Sequence, residues 1–111
     1  MNPWVLVIGI AAFIGYRFIR SQQVKNALPG LIAQGGMIVD VRSAAEFASA
    51  SNPKSLNIPL DQLPQRISEL PKDKPIILCC ASGARSGMAL GILKAKGFQT
   101  VLNAGAWTNT L

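Results

Sequence analysis

The chain has 111 residues, 11 basic and 5 acidic side chains, a net charge of +6 and no histidine. That length suits one domain, and the missing histidine excludes a Cys-His dyad, a Ser-His-Asp triad and any histidine metal site. The two cysteines are adjacent, Cys79 and Cys80, where pairing with each other is strained; no disulfide framework exists and a reducing compartment is expected.

Residues 3–16 carry no charge, and Arg17 and Arg20 follow at once. A helix from Pro3 to Ile19 would span about 25 Å against a hydrocarbon core of about 30 Å. It can cross if Arg17 snorkels and the bilayer thins slightly. Trp4 and Tyr16 stand where interfacial aromatic anchors stand. Residues 1–20 are therefore expected to be a transmembrane or anchor helix, and 21–111 the folded domain. Basic residues lie only on the C-terminal side of the apolar stretch. The positive-inside rule then gives a single pass through the cytoplasmic (inner) membrane with the domain in the cytoplasm. A cleaved signal peptide or a buried core helix are the alternatives, but a signal would want a basic n-region, which is missing. No basic run is interleaved with aromatics, so nucleic acid is not expected as a partner. Anionic lipid or a small anionic substrate is.

Val24, Ala27, Leu28, Leu31 and Ile32 fall at helical spacing, and Pro29 predicts a kink or two short helices. Gly35-Gly36 is a stop. Met37–Val41 reads as the first core strand, with Asp40 and Arg42 near its C-terminal end, where open α/β sheets place their sites. An ion pair of Arg42 with Asp40 or Glu46 is the expected role there. Ser43 and Glu46 have capping-box spacing for a short helix from Ala44 to Ala50. Residues 51–55 form a turn region and Leu56–Pro59 a short strand. Leu60, Leu63, Ile67 and Leu70 predict an amphipathic helix capped by Asp61. Ile76–Cys80 is an apolar run after Pro75, a buried parallel strand. A helix follows from about Arg85 to Lys96, stopped by Gly97, then a last strand at Thr100–Leu102. Trp107 is assigned to the core. Strands alternating with helices make a parallel α/β sheet.

Cys80 thus ends a central strand and faces a helix start. Unpaired N–H groups there carry partial positive charge, and consecutive N–H groups in a tight loop form an anion nest. Gly83 takes positive φ without penalty. This setting lowers a thiol pKa and favours the nucleophilic thiolate. Cys79, one residue earlier, points to the opposite face and reads as a small buried hydrophobe.

Cys80-Ala81-Ser82-Gly83-Ala84-Arg85 resembles the active-site loop of the rhodanese family, in which a cysteine at a strand end opens a six-residue loop. Asp40-Val41-Arg42 with Glu46-Phe47, Asn57-Ile58-Pro59-Leu60, and Lys96-Gly97-Phe98 with Val101-Leu102 resemble other family signatures, in order. The resemblance covers roughly residues 22–107. It implies a rhodanese-like α/β fold, a mostly parallel central sheet flanked by helices on both faces. It implies sulfur transfer with no cofactor and no metal: Cys80 takes sulfane sulfur from thiosulfate or a persulfide and hands it to a thiol, cyanide or a protein acceptor. Ala81, Ser82, Gly83, Ala84, Arg85 and Ser86 would bind the donor, with Arg85 attracting it. Ala81 stands where many members have a basic residue, which predicts a poor fit for thiosulfate. A membrane-tethered, non-catalytic binding module is the alternative. A cysteine phosphatase or arsenate reductase is the third reading, disfavoured because those loops are one residue longer.

Overall fold

The computed structural model describes residues 2–111; Met1, the first residue of the expected anchor, lies outside them. Helix α1 runs from Pro3 to Ala33. It is followed by strand β1 (Met37–Asp40), helix α2 (Ala44–Ser49), strand β2 (Leu56–Asn57), a short helix α3 (Leu63–Arg66), strand β3 (Ile76–Cys80), helix α4 (Ala84–Ala95) and strand β4 (Val101–Ala106). The four strands form one sheet in the order β2-β1-β3-β4, and every pairing is parallel.

The alternation of the strands divides the core in two. Val39, Ile76, Leu78 and Cys80 face one side and pack with Ala89 and Leu93 of α4, Leu63 and Phe98. Ile38, Ile77, Cys79 and Ala104 face the other and pack with Val24 and Leu28 of α1. β3 is buried along its whole length, as its unbroken apolar run requires.

Three elements differ from the sequence expectation. α1 crosses Pro29 without dividing into two helices. Proline removes one ladder bond and crowds the carbonyl four residues back; here Pro29 lies on the exposed face, while Val24 and Leu28 just before it and Leu31 just after it pack on the same sheet. The expected helix over 60–70 is instead a 3-10 turn (Leu60–Gln62), the single α-turn α3, and a second 3-10 turn (Ile67–Glu69). Pro64 has no N–H to give the Leu60 carbonyl, which accepts from Leu63 N–H one residue earlier, and Asp61 makes no side-chain cap. β4 is longer than expected because it continues past a bulge. Leu78 pairs with Asn103 but Cys79 pairs with Gly105, which leaves Ala104 as the extra residue.

α1 has two parts with different surroundings. From Ser21 onward it docks on the domain. Before that its large side chains are open: Trp4, Leu6, Ile8, Phe13 and Phe18 are each exposed by more than half. This is the helix in the described residues long and apolar enough to cross a membrane.

Candidate active site

The site is built at the C-terminal ends of β1 and β3. Cys80 is the last residue of β3 and is fully buried. Ala81, Ser82 and Gly83 turn the chain, and Ala84 begins α4. Gly83 has φ 105°, a region that disfavours any residue with a Cβ. A Cβ there would also come 3.2 Å from Gly105 Cα. The turn folds the loop back over the sulfur. Gly83 N–H donates to Cys80 Sγ at 2.9 Å and Ser86 N–H at 3.5 Å. Ser86 Oγ lies 3.3 Å from Sγ.

These donors decide the chemistry of the sulfur. Burial disfavours the thiolate and pushes the pKa up. The Ser86 hydroxyl and the backbone N–H groups of Ser86, Gly83 and Ser82 favour the anion and outweigh it, so the Cys80 thiol is held below its ordinary value. Cys79 has burial without donors. Desolvation, with Asp40 nearby, pushes it up to about 12.

The Ser86 hydroxyl has one proton and two acceptors in reach. It donates to Asn103 Oδ1 at 2.7 Å, leaving its oxygen to accept from a Cys80 S–H. When the sulfur is a thiolate, the proton turns to it, and Asn103 Oδ1 is still satisfied by Gly105 N–H at 3.0 Å. Asn103 Nδ2 donates to the Gly83 carbonyl at 3.1 Å. One side chain therefore holds both the hydroxyl and the loop. Sequence reasoning gave Asn103 no role. The available signal was a polar residue within an apolar strand, at the end of the sheet where α/β sites gather.

Arg85 is turned toward Glu46. Its guanidinium makes a two-pronged pair with that carboxylate, 2.7 and 3.0 Å. The Arg85 bond, with Ser43 N–H, lowers the Glu46 pKa to about 2. Ser43 and Glu46 also complete the expected capping box. The pair ties the start of α4 to α2. Arg42 takes the other carboxylate: its Nη2 lies 2.8 Å from the fully buried Asp40, reaches the Ala50 carbonyl at 2.8 Å, and its guanidinium stacks 4.9 Å from the Trp107 ring centroid. This pair braces the β1 end. A cavity of about 400 Å³ opens beside Arg85, lined by Val41, Ser43, Pro59, Leu60 and Gln62 among others.

The fold and this loop define a class. The sequence matches the rhodanese-like domain over residues 22–109. The chain belongs to that family. It is 42% identical over 67 residues, 60% of this chain, to a sulfurtransferase of Allochromatium vinosum, and spans 63% of that protein's length. It is 33% identical over 110 residues to an uncharacterised Bacillus subtilis protein, YqhL, covering 93% of this chain and 87% of that one. Among solved structures, a rhodanese-like domain protein from Staphylococcus aureus superposes with a TM-score of 0.68 at 29% identity, over 82% of this chain and 87% of that one. A rhodanese with anions from E. coli gives 0.63 at 29%, over 67% and 89%.

Proposed function

We propose that this chain is a rhodanese-type sulfurtransferase with Cys80 as its catalytic residue. The observation that carries the reading is the ring of donors aimed at one buried sulfur: Gly83 N–H, Ser86 N–H and the Ser86 hydroxyl. A thiolate and a persulfide anion need the same stabilisation, and the ring supplies it in both states. Cys80 thiolate attacks the outer sulfur of thiosulfate, the S–S bond of the donor breaks, and sulfite leaves with the electron pair. Cys80 then carries a persulfide. A thiolate or cyanide attacks its outer sulfur, takes that atom away and returns the Cys80 thiolate. This is covalent catalysis in two half-reactions. A persulfide donor enters by the same attack and releases a thiolate in place of sulfite. Residues Ala81 to Ser86 cradle the donor sulfur through their backbone, with Arg85 locked to Glu46 as the strut that sets the loop.

Residues 1–20 are proposed as the membrane anchor and 21–111 as the domain, facing the cytoplasm. The exposed apolar side chains of α1 and the basic residues that follow them support this reading.

The test is intact mass of the full chain in detergent after incubation with thiosulfate, and separately with a persulfide donor, for the wild type and Cys80→Ser. A gain of one sulfur that needs Cys80 and is lost on adding a thiol is expected. No gain from either donor would overturn the assignment in favour of a binding module.

A further inference from the structure

Between α1 and the Cys80 loop lies a cleft of about 170 Å³, several times the ~30 Å³ that a water takes in the liquid. Tyr16, Arg17, Arg20 and Ser21 line one wall, Ser82 and Gly83 the other, and Gly105 and Ala106 lie at the end of β4. Positions 16, 17, 20 and 21 share one helix face, and that stripe continues into Val24 and Leu28, which seat α1 on the sheet. The wall is fixed on both sides of the cleft: Arg20 Nη2 donates to the Asn103 carbonyl at 3.3 Å and Ser21 Oγ to Asn109 Oδ1 at 2.7 Å.

The charge in this cleft is unbalanced. The chain has five acidic residues, and none lines it. Among the described residues, the arginines in ion pairs are Arg42, Arg66 and Arg85. Arg17 meets only the Phe13 ring, at 5.9 Å, and Arg20 meets a neutral carbonyl. The cation that belongs to the loop, Arg85, is already neutralised by Glu46. The uncommitted positive charge beside the loop therefore comes from α1. Gly83, which lines the cleft, is also the residue whose N–H touches Cys80 Sγ.

We infer that this cleft is an oxyanion subsite, in which Arg17 and Arg20 hold a tetrahedral anion against the outer flank of the Cys80 loop. Two guanidinium groups, with Tyr16, Ser21 and Ser82 in the same lining, suit three or four anionic oxygens. The chemistry is shared by the sulfonate end of a soluble sulfur donor and by a lipid phosphate. Cys80 itself does not line the cleft; the inference takes from the sulfur-transfer reading only the class of anion, and anion binding itself is separately measurable.

The experiment follows the Gly83 and Gly105 amide resonances of isotopically labelled full chain. Inorganic sulfate, which cannot transfer sulfur, is titrated in a neutral maltoside detergent. A second arm compares nanodiscs of phosphatidylcholine with nanodiscs containing phosphatidylglycerol. Saturable sulfate shifts, weakened at least tenfold in Arg17→Gln/Arg20→Gln, would establish the subsite with a soluble anion as occupant. Shifts seen only with phosphatidylglycerol, and lost in the same double variant, would establish it with a lipid phosphate. No response in either arm, or an equal response in the double variant, would overturn it. Sulfate binding by the wild type is read apart from the mass test: if sulfate binds while the mass test shows no persulfide, the sulfur-transfer reading fails and the subsite stands.

Discussion

Cys79 and Cys80 are neighbours on one strand, and both are fully buried. Their thiols nevertheless move in opposite directions, Cys79 up to about 12 and Cys80 below its ordinary value. Burial is common to both, so burial does not explain the difference. Cys79 points at α1 and meets Ile38, Ile77 and Ala104, none of which offers a proton. Cys80 points at a loop whose N–H groups have no strand or helix partner to satisfy. The strand's twofold alternation decides which sulfur meets hydrogen-bond donors and which is core.

The largest effect expected is the contrast between the two. Cys80→Ser should abolish persulfide formation. Cys79→Ala should leave its rate within about twofold and cost roughly 1 kcal/mol of stability, as ordinary core substitutions do. Single-turnover mass spectrometry and urea unfolding check the pair, and comparable loss of transfer in both would end the distinction. Next comes Ser86→Ala. A hydrogen bond to a charged group contributes about 1.5–3 kcal/mol, so persulfide formation at neutral pH should fall about tenfold or more. The sign is fixed: removing a donor disfavours the thiolate, so the acid limb of the pH-rate profile moves to higher pH. An unmoved limb would mean that the hydroxyl only packs.

Asn103→Ala should lower the rate by less, about three- to tenfold, because it loosens the loop at the Gly83 carbonyl without removing a donor to sulfur. It also removes the acceptor that draws the Ser86 proton away from the thiolate, so the acid limb should move to lower pH, opposite to Ser86→Ala. As a positioning residue it should shift the pH profile, with Asn103→Asp failing to rescue because the Gly83 carbonyl then lacks its N–H donor. A uniform drop in rate with no profile shift would argue for a purely structural role. The smallest effect concerns Glu46. Its carboxyl is held at about 2 in the folded chain and near 4.3 in an unfolded one. The stability this adds is complete above the unfolded value and is lost as pH falls from there toward 2. Arg85→Gln should flatten that loss, measured as urea midpoints between pH 5 and pH 2.5.

Much of this was legible in the sequence, and the residues say why. The run Ile76–Cys80 can only be buried on both sides. Gly83 stands where the chain must reverse, and Ser43 and Glu46 have a spacing that only a helix start satisfies. What escaped reading depended on contacts between distant segments. Arg42 had two carboxylates within reach along the chain, and only the fold gives Glu46 to Arg85, 39 residues away. Asn103 acquires its role from a bulge that no local pattern announces. Pro29 kinks or divides a helix by local rules, yet α1 runs on through it with the sheet holding the chain on both sides. The apolar stretch before Arg17 was readable as an anchor candidate, but the placement of Arg17 and Arg20 beside the loop needed the docking of Val24 and Leu28.

α1 joins its apolar half to its docked half with no linker. At about 1.5 Å and 100° per residue, such a helix acts as a ruler and a compass together. For the anchored chain proposed above, the height of the Cys80 loop over the bilayer and the direction it faces are set by residue count. One alanine inserted ahead of Tyr16 would leave the domain's contacts whole while turning the anchor about 100° around its own axis. An acceptor that meets the site at a fixed distance from the membrane would register that turn, while a freely diffusing one would not.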